Sequence, residues 1–224
     1  MAWEVLKDWC QLNDISVSDE QLESLEKFKH RLYELNQVMN LTRVPEESFE
    51  VRHALDSLLI APFLAEGRKV LDIGTGAGFP AWPLALFRPD LKVTAVDGSA
   101  KPLTLMQEFS LPNLTVRQVR IEDWNKRGEF DIVTGRAFAP IPVQFECSAP
   151  FVRDAGCFIP FRTPQEIPEI ECFNCGQLGL KLLNFETAQL PDGTERLLPV
   201  FQKIRETPAE FPRSWARIKQ APLK

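Results

Sequence analysis

Histidine is scarce in this sequence, and its cysteines are not arranged for metal binding. Among 224 residues there are two histidines, His30 and His53, and five cysteines. Cys172 and Cys175 form a Cys-x-x-Cys pair, but structural zinc requires further ligands at a suitable spacing. Both histidines fall in a predicted helical region near the N-terminus. We therefore expect no metal site.

Long apolar runs and a leader pattern are also missing. No run of about eighteen apolar residues occurs, so we expect no transmembrane helix and no membrane partner. The first residues contain no basic region followed by an apolar core, which argues against a secretory signal. An odd number of cysteines in a chain of this length favours reduced thiols, and we expect a cytoplasmic protein.

Positive charge is not in excess, because the formal net charge is −5 at pH 7. This balance weakly opposes a nucleic-acid partner, which prefers a basic surface. The distribution of charge matters more than its sum. Basic residues are concentrated near the C-terminus, at Lys203, Arg205, Arg213, Arg217, Lys219 and Lys224. This segment either contacts a polyanion or is simply solvated, and charge alone does not choose between the two.

Hydrophobic spacing divides the chain into a helical start and an alternating α/β part. Apolar residues three and four apart predict a helix at 18–38, and further helices are expected at 2–11 and 47–64. Apolar runs predict strands at 69–73, 91–96, 114–119, 130–134, 156–161, 180–188 and 195–204. This alternation predicts a mostly parallel, doubly wound sheet. The turn residues at 191–194 add an antiparallel edge hairpin.

Three segments follow from this division. An N-terminal helical region covers residues 1–64 and is expected to pack on the core. The core covers residues 65–206. A basic tail covers residues 207–224, and its prolines predict an extended end without regular structure.

The most informative segment is 70–80. An apolar strand ends there on Asp72, and three glycines follow at alternate positions, Gly74, Gly76 and Gly78. Because glycine has no Cβ, such a turn lets a ligand approach the backbone closely. Asp97 ends the next predicted strand, where a carboxylate can bind a ribose with both hydroxyls free.

The spacing of these glycines helps to identify the ligand. It is Gly-x-Gly-x-Gly, whereas dinucleotide sites use Gly-x-Gly-x-x-Gly. A carboxylate at Asp72 would also repel a pyrophosphate but can attract a sulfonium or an ammonium group. We therefore predict S-adenosylmethionine as the cofactor in preference to a nicotinamide dinucleotide.

These residues resemble one family over nearly the whole chain. It is the bacterial 16S rRNA guanine-N7 methyltransferase family, also called the glucose-inhibited division protein B family. The glycine turn alone marks only a methyltransferase, and the additional motifs make the resemblance specific. The matching segments are 40–42, 53–57, 72–80, 93–97 with Lys101, 120–122, 133–140, 203–204, 211–213 and 221–223.

The resemblance implies a class I methyltransferase fold, with a Rossmann-like sheet. It also implies methyl transfer from S-adenosylmethionine to N7 of one guanine in 16S rRNA of the small ribosomal subunit. Gly74 and Phe79 would line the cofactor site, Ile121 and Glu122 would lie beside the adenine, and Arg136 would bind the methionine end. With the residues of the glycine turn, the expected cofactor-binding set is Asp72, Gly74, Gly76, Gly78, Phe79, Asp97, Ile121, Glu122 and Arg136.

Transfer to N7 needs no general base, because the nitrogen already has a lone pair in the ring plane. The enzyme has to position the acceptor in line with the methyl group, and His53, Asp56 and Arg136 are candidates for such positioning. His53, Asp56 and Ser57 share a helix face, where they border the guanine, brace the glycine turn, or simply pack with a hydrogen bond between Asp56 and His53. The candidate RNA phosphate contacts are Lys101, Arg120, Arg162 and Arg213.

Other interpretations stay open at this point. Pro102, Arg162 and the pair Ala81 and Trp82 depart from the family pattern, which affects the RNA contacts more than the cofactor site. A methyltransferase acting on a protein or small molecule would share the cofactor site, and an assembly factor could keep the fold without activity. Removing residues 207–224 should leave S-adenosylmethionine binding intact while methyl transfer to RNA falls, which separates these interpretations. We expect a monomer.

Overall fold

The structure is a computed structural model that describes residues 3–224. It contains one seven-stranded sheet in the order β3-β2-β1-β4-β5-β7-β6. The strands are β1 (Lys69–Ile73), β2 (Lys92–Asp97), β3 (Leu114–Gln118), β4 (Phe130–Thr134), β5 (Val152–Phe158), β6 (Leu180–Gln189) and β7 (Glu195–Lys203). Strands β1 to β5 are parallel, and β7 lies antiparallel between β5 and β6. The predicted α/β sheet with an antiparallel edge is confirmed.

Helices cover both faces of this sheet. They are α1 (Glu4–Leu12), α2 (Asp19–Met39), α3 (Asp56–Leu58), α4 (Ala81–Phe87), α5 (Ala100–Glu108), α6 (Ile141–Ser148), α7 (Ile167–Cys172) and α8 (Trp215–Gln220). Side chains of β1 alternate between the two apolar cores, with Val70 on the side of α2, α4 and α5 and Leu71 on the side of α6 and α7. In residues 3–224, no helix is both long and apolar enough to cross a lipid bilayer.

Helix α2 has clear start and stop signals. The Ser18 hydroxyl accepts a hydrogen bond from Gln21 N at 3.2 Å, and the Gln21 side chain accepts one from Ser18 N at 2.8 Å. This capping box satisfies amides that have no partner within the helix. At the other end, Asn40 adopts the left-handed conformation with φ 51°, which terminates the helix.

A stack of two aromatic rings helps to attach α2 to the core. Phe28 is fully buried and stacks on Trp82 of α4, with ring centroids 3.9 Å apart. The indole Nε1 of Trp82 donates to Phe109 O at 2.7 Å. Trp82 is therefore a packing residue and is not exposed to a nucleotide base.

The structure corrects the expected helix at 47–64. This segment is broken into a 3₁₀ turn at Glu46–Ser48, a π-helical turn at Glu50–Leu55, the short α3 and a second 3₁₀ turn at Ala61–Phe63. A π-helical turn is frequently found at functional sites. Here it carries Arg52 and His53.

The tail is also different from the expected extended segment. It contains α8, and both Phe211 and Ile218 are buried. Prolines at 208, 212 and 222 fall outside the helix, so they limit its length without preventing packing. The tail is a folded part of the molecule.

Candidate active site

The glycine turn is fixed to the carboxyl end of β2. Gly74 N and Thr75 N donate to Val96 O at 2.9 and 3.1 Å, and Gly76 N donates to Asp97 Oδ2 at 3.1 Å. Gly74 has φ +72°, a conformation that costs an L side chain about 1–2 kcal/mol. The sequence needs glycine here so that the strand can turn sharply beside Asp97.

A cavity of about 380 Å³ opens next to this turn. Its walls combine apolar side chains with a carboxylate from the end of β2. The lining residues are Ile73, Gly74, Val96, Asp97, Gly98, Val119, Arg120, Ile121, Glu122, Ala137, Phe138 and Trp215. The carboxyl ends of parallel strands are where such sheets bind ligands.

The chemistry of this cavity fits S-adenosylmethionine. Asp97 accepts backbone hydrogen bonds from Gly76 and Ser99, and its carboxylate keeps free lone pairs for a ribose diol. Ile121 and Val96 offer apolar surface to an adenine ring, and Glu122 supplies an acceptor for an amino group. The carboxylates and apolar side chains named here do not favour a phosphate group.

Phe138 closes one side of the glycine turn. A Cβ placed on Gly74 would overlap the Phe138 ring at Cδ2 and lie 3.0 Å from its Cγ. The ring therefore rests on the glycine backbone and also lines the cavity. This contact joins the segment after β4 to the segment after β1.

Asp72 lies beneath the turn and is fully buried. Its Oδ2 accepts from Ala81 N at 3.2 Å, at the start of α4. Its Oδ1 has no hydrogen-bond partner in residues 3–224, and burial raises the pKa of Asp72 to about 6. Asp72 therefore supports the turn from behind and does not line the cavity.

Four further residues of the predicted cofactor set also lie outside the cavity lining, namely Gly76, Gly78, Phe79 and Arg136. Gly78 packs against α5, since a Cβ there would lie 2.9 Å from Met106 Cγ. The Phe79 ring stacks on His53, with centroids 4.0 Å apart. Gly76 belongs to the turn and reaches the site through its hydrogen bond to Asp97. The lining contains Gly74, Asp97, Ile121 and Glu122 from that set.

Arg136 contacts residues of the N-terminal helical region. Its Nη1 donates to Asp56 Oδ2 at 2.7 Å and to Arg52 O at 3.1 Å. Its Nη2 lies 3.1 Å from His53 Nδ1, and its guanidinium sits 5.3 Å from the Phe79 ring centre. Binding of the cofactor carboxylate by Arg136 stays a prediction, and these partners already hold both terminal nitrogens.

Asp56 joins two distant arginines. It has no exposed surface, and besides Arg136 it accepts from Arg196 Nε and Nη2 at 2.8 and 3.0 Å. Arg196 lies on β7 and Arg136 just after β4, so Asp56 ties the helical region to β7 and to the segment that follows β4. We call this group, Asp56 with Arg136 and Arg196, the Asp56 clasp.

His53 is unsuited to acid–base chemistry. Burial, together with the charges of Arg136 and Arg52, lowers its pKa to about 3. The ring is therefore neutral near pH 7 and a weak base. Its stack on Phe79 instead braces the segment that follows the glycine turn.

The predicted RNA contacts divide into two groups. Lys101 and Arg120 are exposed, and Arg120 reaches the mouth of the cavity. Arg162, by contrast, is buried and donates to Glu166, Ala139 O and Gln144. A guanidinium buried in this way cannot reach a phosphate backbone, so the expectation for Arg162 is corrected to a packing role.

Arg213 is likewise held within the protein. Its Nε and Nη2 donate to the two carboxylate oxygens of Glu146 at 2.8 and 2.6 Å. Glu146 is fully buried, which makes this an internal ion pair. RNA contact by Arg213 stays a prediction, and Glu146 already holds its Nε and Nη2.

Sequence reasoning missed two residues of this region. Arg196 was an ordinary strand residue in the sequence, and Trp215 belonged to a segment expected to be extended. No local sequence pattern identifies Arg196 or Trp215, because each contacts residues that are distant in the sequence. Among residues 3–224, no group of His, Cys, Asp and Glu side chains is arranged to hold a metal ion.

In sequence, the chain is similar to ribosomal RNA methyltransferases. A family model described as rRNA small subunit methyltransferase G matches residues 21–191. The ribosomal RNA small subunit methyltransferase G of Lactococcus lactis subsp. lactis (strain IL1403) is 34% identical over 227 residues, which cover 94% of each chain. The protein of the same name from Streptococcus pyogenes serotype M1 is 35% identical over 223 residues, covering 93% of this chain and 94% of that one.

Solved structures show a similar fold. A putative S-adenosylmethionine-dependent methyltransferase from Listeria monocytogenes has a TM-score of 0.52 at 15% identity, covering 68% of this chain and 100% of that chain. TYW2 of M. jannaschii, determined in complex with AdoMet, has a TM-score of 0.52 at 17% identity, covering 67% and 74%. At such identities the likeness concerns the fold alone.

Proposed function

Since the chain belongs to the rRNA small subunit methyltransferase G family, we propose that its S-adenosylmethionine-dependent activity on 16S rRNA is directed at N7 of a guanine. The observation that carries the cofactor assignment is the cavity at the carboxyl edge of the sheet. It joins an open glycine turn to a carboxylate suited to a ribose diol. The choice of N7 rests on the resemblance in sequence and on the chemistry of the site.

The site suits an acceptor that needs no deprotonation. Guanine N7 carries an in-plane lone pair, so its attack requires orientation rather than a strong base. The nearby histidine is buried and neutral, with its pKa lowered to about 3. Bound S-adenosylmethionine would supply an electrophilic methyl group on a sulfonium.

Each residue of the cavity has a defined role in this proposal. Asp97 would bind the ribose hydroxyls, while Ile121 and Glu122 would contact the adenine. Phe138 borders both the cavity and the glycine turn, where an aromatic ring can stack on an extruded base. Arg136, held by the Asp56 clasp, would fix the segment after β4 on which Phe138 lies.

An open basic surface supports RNA as the substrate. Between β3 and β4 the chain forms only a 3₁₀ turn at Ile121–Asp123. On the sheet face opposite α4 and α5, which α6 and α7 cover only in part, Lys92, Thr115 and Arg117 are therefore exposed. A groove of about 270 Å³ lies on that face. Its lining residues are Lys69, Lys92, Thr94, Thr115, Arg117, Trp124, Lys126, Glu129 and Phe130.

The cations in this groove are placed to follow a phosphate backbone. Lys69 and Lys92 are register partners on adjacent strands, and Arg117 pairs with Val96, four residues further along β2. At about 3.3 Å per strand residue, the track from Lys92 to Arg117 is about 13 Å long. Phosphate contacts of this kind give affinity rather than sequence specificity.

Replacing Lys92 and Arg117 by glutamine should weaken binding of 16S rRNA. The slope of log K against log salt should fall by about one for each phosphate that the variant no longer neutralises. Filter binding over a salt series measures this slope, and calorimetry should show unchanged cofactor affinity. Lys181→Gln, an exposed lysine on β6, is the matched control. Equal slopes for the double variant and the wild type would exclude this surface from RNA binding.

Methyl transfer tests the function directly. The purified chain should transfer labelled methyl to 16S rRNA, or to immature small subunits, from a strain that lacks the family enzyme. Mapping of the product should locate the label at N7 of a guanine. Label at another atom would reject the N7 assignment, and label in a protein or small molecule alone would favour the other kind of methyltransferase.

We also propose that the chain acts as a monomer. Residues after β1, at the end of β2 and in the C-terminal segment all line the cavity, so one chain supplies walls on several sides. Light scattering coupled to size exclusion should give a mass near 25.5 kDa. A stable dimer at micromolar concentration would contradict this.

A further inference from the structure

We propose that the C-terminal segment, residues 207–224, completes the cofactor cavity, with Trp215 as a wall against the adenine side. This inference rests on the proposed use of the cavity for S-adenosylmethionine. The segment lies beyond residues 21–191, the part of the chain that the family model matches.

The start of the segment is fastened to the core by Arg127. Its Nη2 donates to Thr207 O at 2.7 Å and to Pro208 O at 3.3 Å, and its Nη1 donates to Phe211 O. Phe211 itself is buried. One guanidinium therefore holds three backbone carbonyl groups of this segment.

A buried ion pair then fixes the middle of the segment. Arg213 N and Nε both donate to Glu146 Oε1 at 2.8 Å, and Nη2 donates to Oε2 at 2.6 Å. Glu146, on α6, has no exposed surface, and its hydrogen bonds with Arg213, together with its charge, raise the pKa of Arg213. Such bidentate pairing fixes the orientation of the guanidinium as well as its distance from the carboxylate. Because the backbone N of Arg213 is held by the same carboxylate, the direction of the chain after Arg213 is also fixed.

This direction of the chain brings Trp215 to the cavity. Trp215 is the first residue of α8, and Ile218, one turn later, is fully buried in the core. The indole lines the same cavity as Asp97, Gly98, Val119 and Ile121. An aromatic ring beside apolar side chains forms a surface on which a planar base can stack.

This arrangement reverses the expectation drawn from charge. A tail that served only RNA could be removed without loss of cofactor binding. In the structure, Arg213 is paired with Glu146 inside the protein, and an aromatic residue of the same segment faces the site. Loss of the segment should therefore weaken cofactor binding before any effect on RNA.

The test is calorimetry with S-adenosylhomocysteine. Trp215→Leu should raise Kd about ten- to hundredfold, the range expected when a stacking partner is removed. Trp215→Phe keeps an aromatic wall and should retain most of the affinity. Arg213→Met should also raise Kd, and combining it with Trp215→Leu should add little, because both act through one wall.

The matched control removes charge without touching the wall. Arg217→Gln with Lys219→Gln neutralises two exposed cations of the same helix and should leave Kd unchanged. Circular dichroism melting will show whether each variant is folded. A Kd for folded Trp215→Leu within twofold of the wild type would overturn the proposal.

The two proposals fail in different ways. If the wild type binds S-adenosylhomocysteine but methylates no RNA, the proposed function fails and the role of Trp215 can still be measured. If RNA is methylated and Trp215→Leu binds the cofactor normally, only the present inference fails.

Discussion

Replacing Asp56 by alanine is expected to lower the free energy of unfolding by about 3–5 kcal/mol, the usual cost of removing one partner from a buried ion pair. Asp56 has no exposed surface, and it is the shared counter-charge of Arg136 and Arg196. Without it, two largely buried guanidinium groups face each other unpaired. Urea unfolding followed by circular dichroism measures the change.

Two control variants distinguish the loss of the buried ion pair from the loss of a negative charge in general. Asp192 pairs with Arg52 at the surface, where its side chain is 37% exposed, so Asp192→Ala should cost about 0–1 kcal/mol. Replacing all three members of the Asp56 clasp by apolar residues of similar volume should recover part of the loss, because no unpaired charge then remains. If Asp56→Ala unfolds like Asp192→Ala, the clasp does not stabilise the fold.

The Asp56 clasp also shows where sequence reasoning stops. The strands at 69–73 and 130–134 were predicted with their observed ends, because each is an apolar run bounded by residues that favour turns. The glycine turn and Asp97 were predicted because strand ends meet at one edge of a parallel sheet. Asp56 and Arg196, however, are 140 residues apart, and no local pattern relates them.

The sequence also does not show which basic residues are exposed and which are paired inside the protein. Arg162 and Arg213 looked like free cations, whereas Lys92 and Arg117 were ordinary strand residues. Folding pairs the first two with Glu166 and Glu146 and leaves the other two on an open sheet face. In the sequence, a basic residue looks the same whether solvent or a buried carboxylate surrounds it in the fold. The proposed RNA surface therefore follows only from the fold.

Gly74→Val is expected to raise the Kd for S-adenosylhomocysteine by at least about a hundredfold, which corresponds to about 2.7 kcal/mol. Gly74 has φ +72°, and a β-branched residue is strongly disfavoured in that region. Its Cβ would also overlap the Phe138 ring. The added side chain must therefore displace either the ring or the turn, and both border the cavity. Calorimetry measures the affinity, and thermal melting measures the accompanying loss of stability.

Gly67 provides the control for backbone strain alone. It has nearly the same φ, +73°, but a Cβ there meets nothing within 4 Å, and it does not line the cavity. Gly67→Val should cost about 1–2 kcal/mol of stability and leave cofactor affinity unchanged. Gly74→Ala with Phe138→Ala should bind better than Gly74→Ala alone if crowding against the ring is the cause. Wild-type affinity in a folded Gly74→Val variant would mean that the bound cofactor does not approach this turn, and the assignment of the cavity would have to be abandoned.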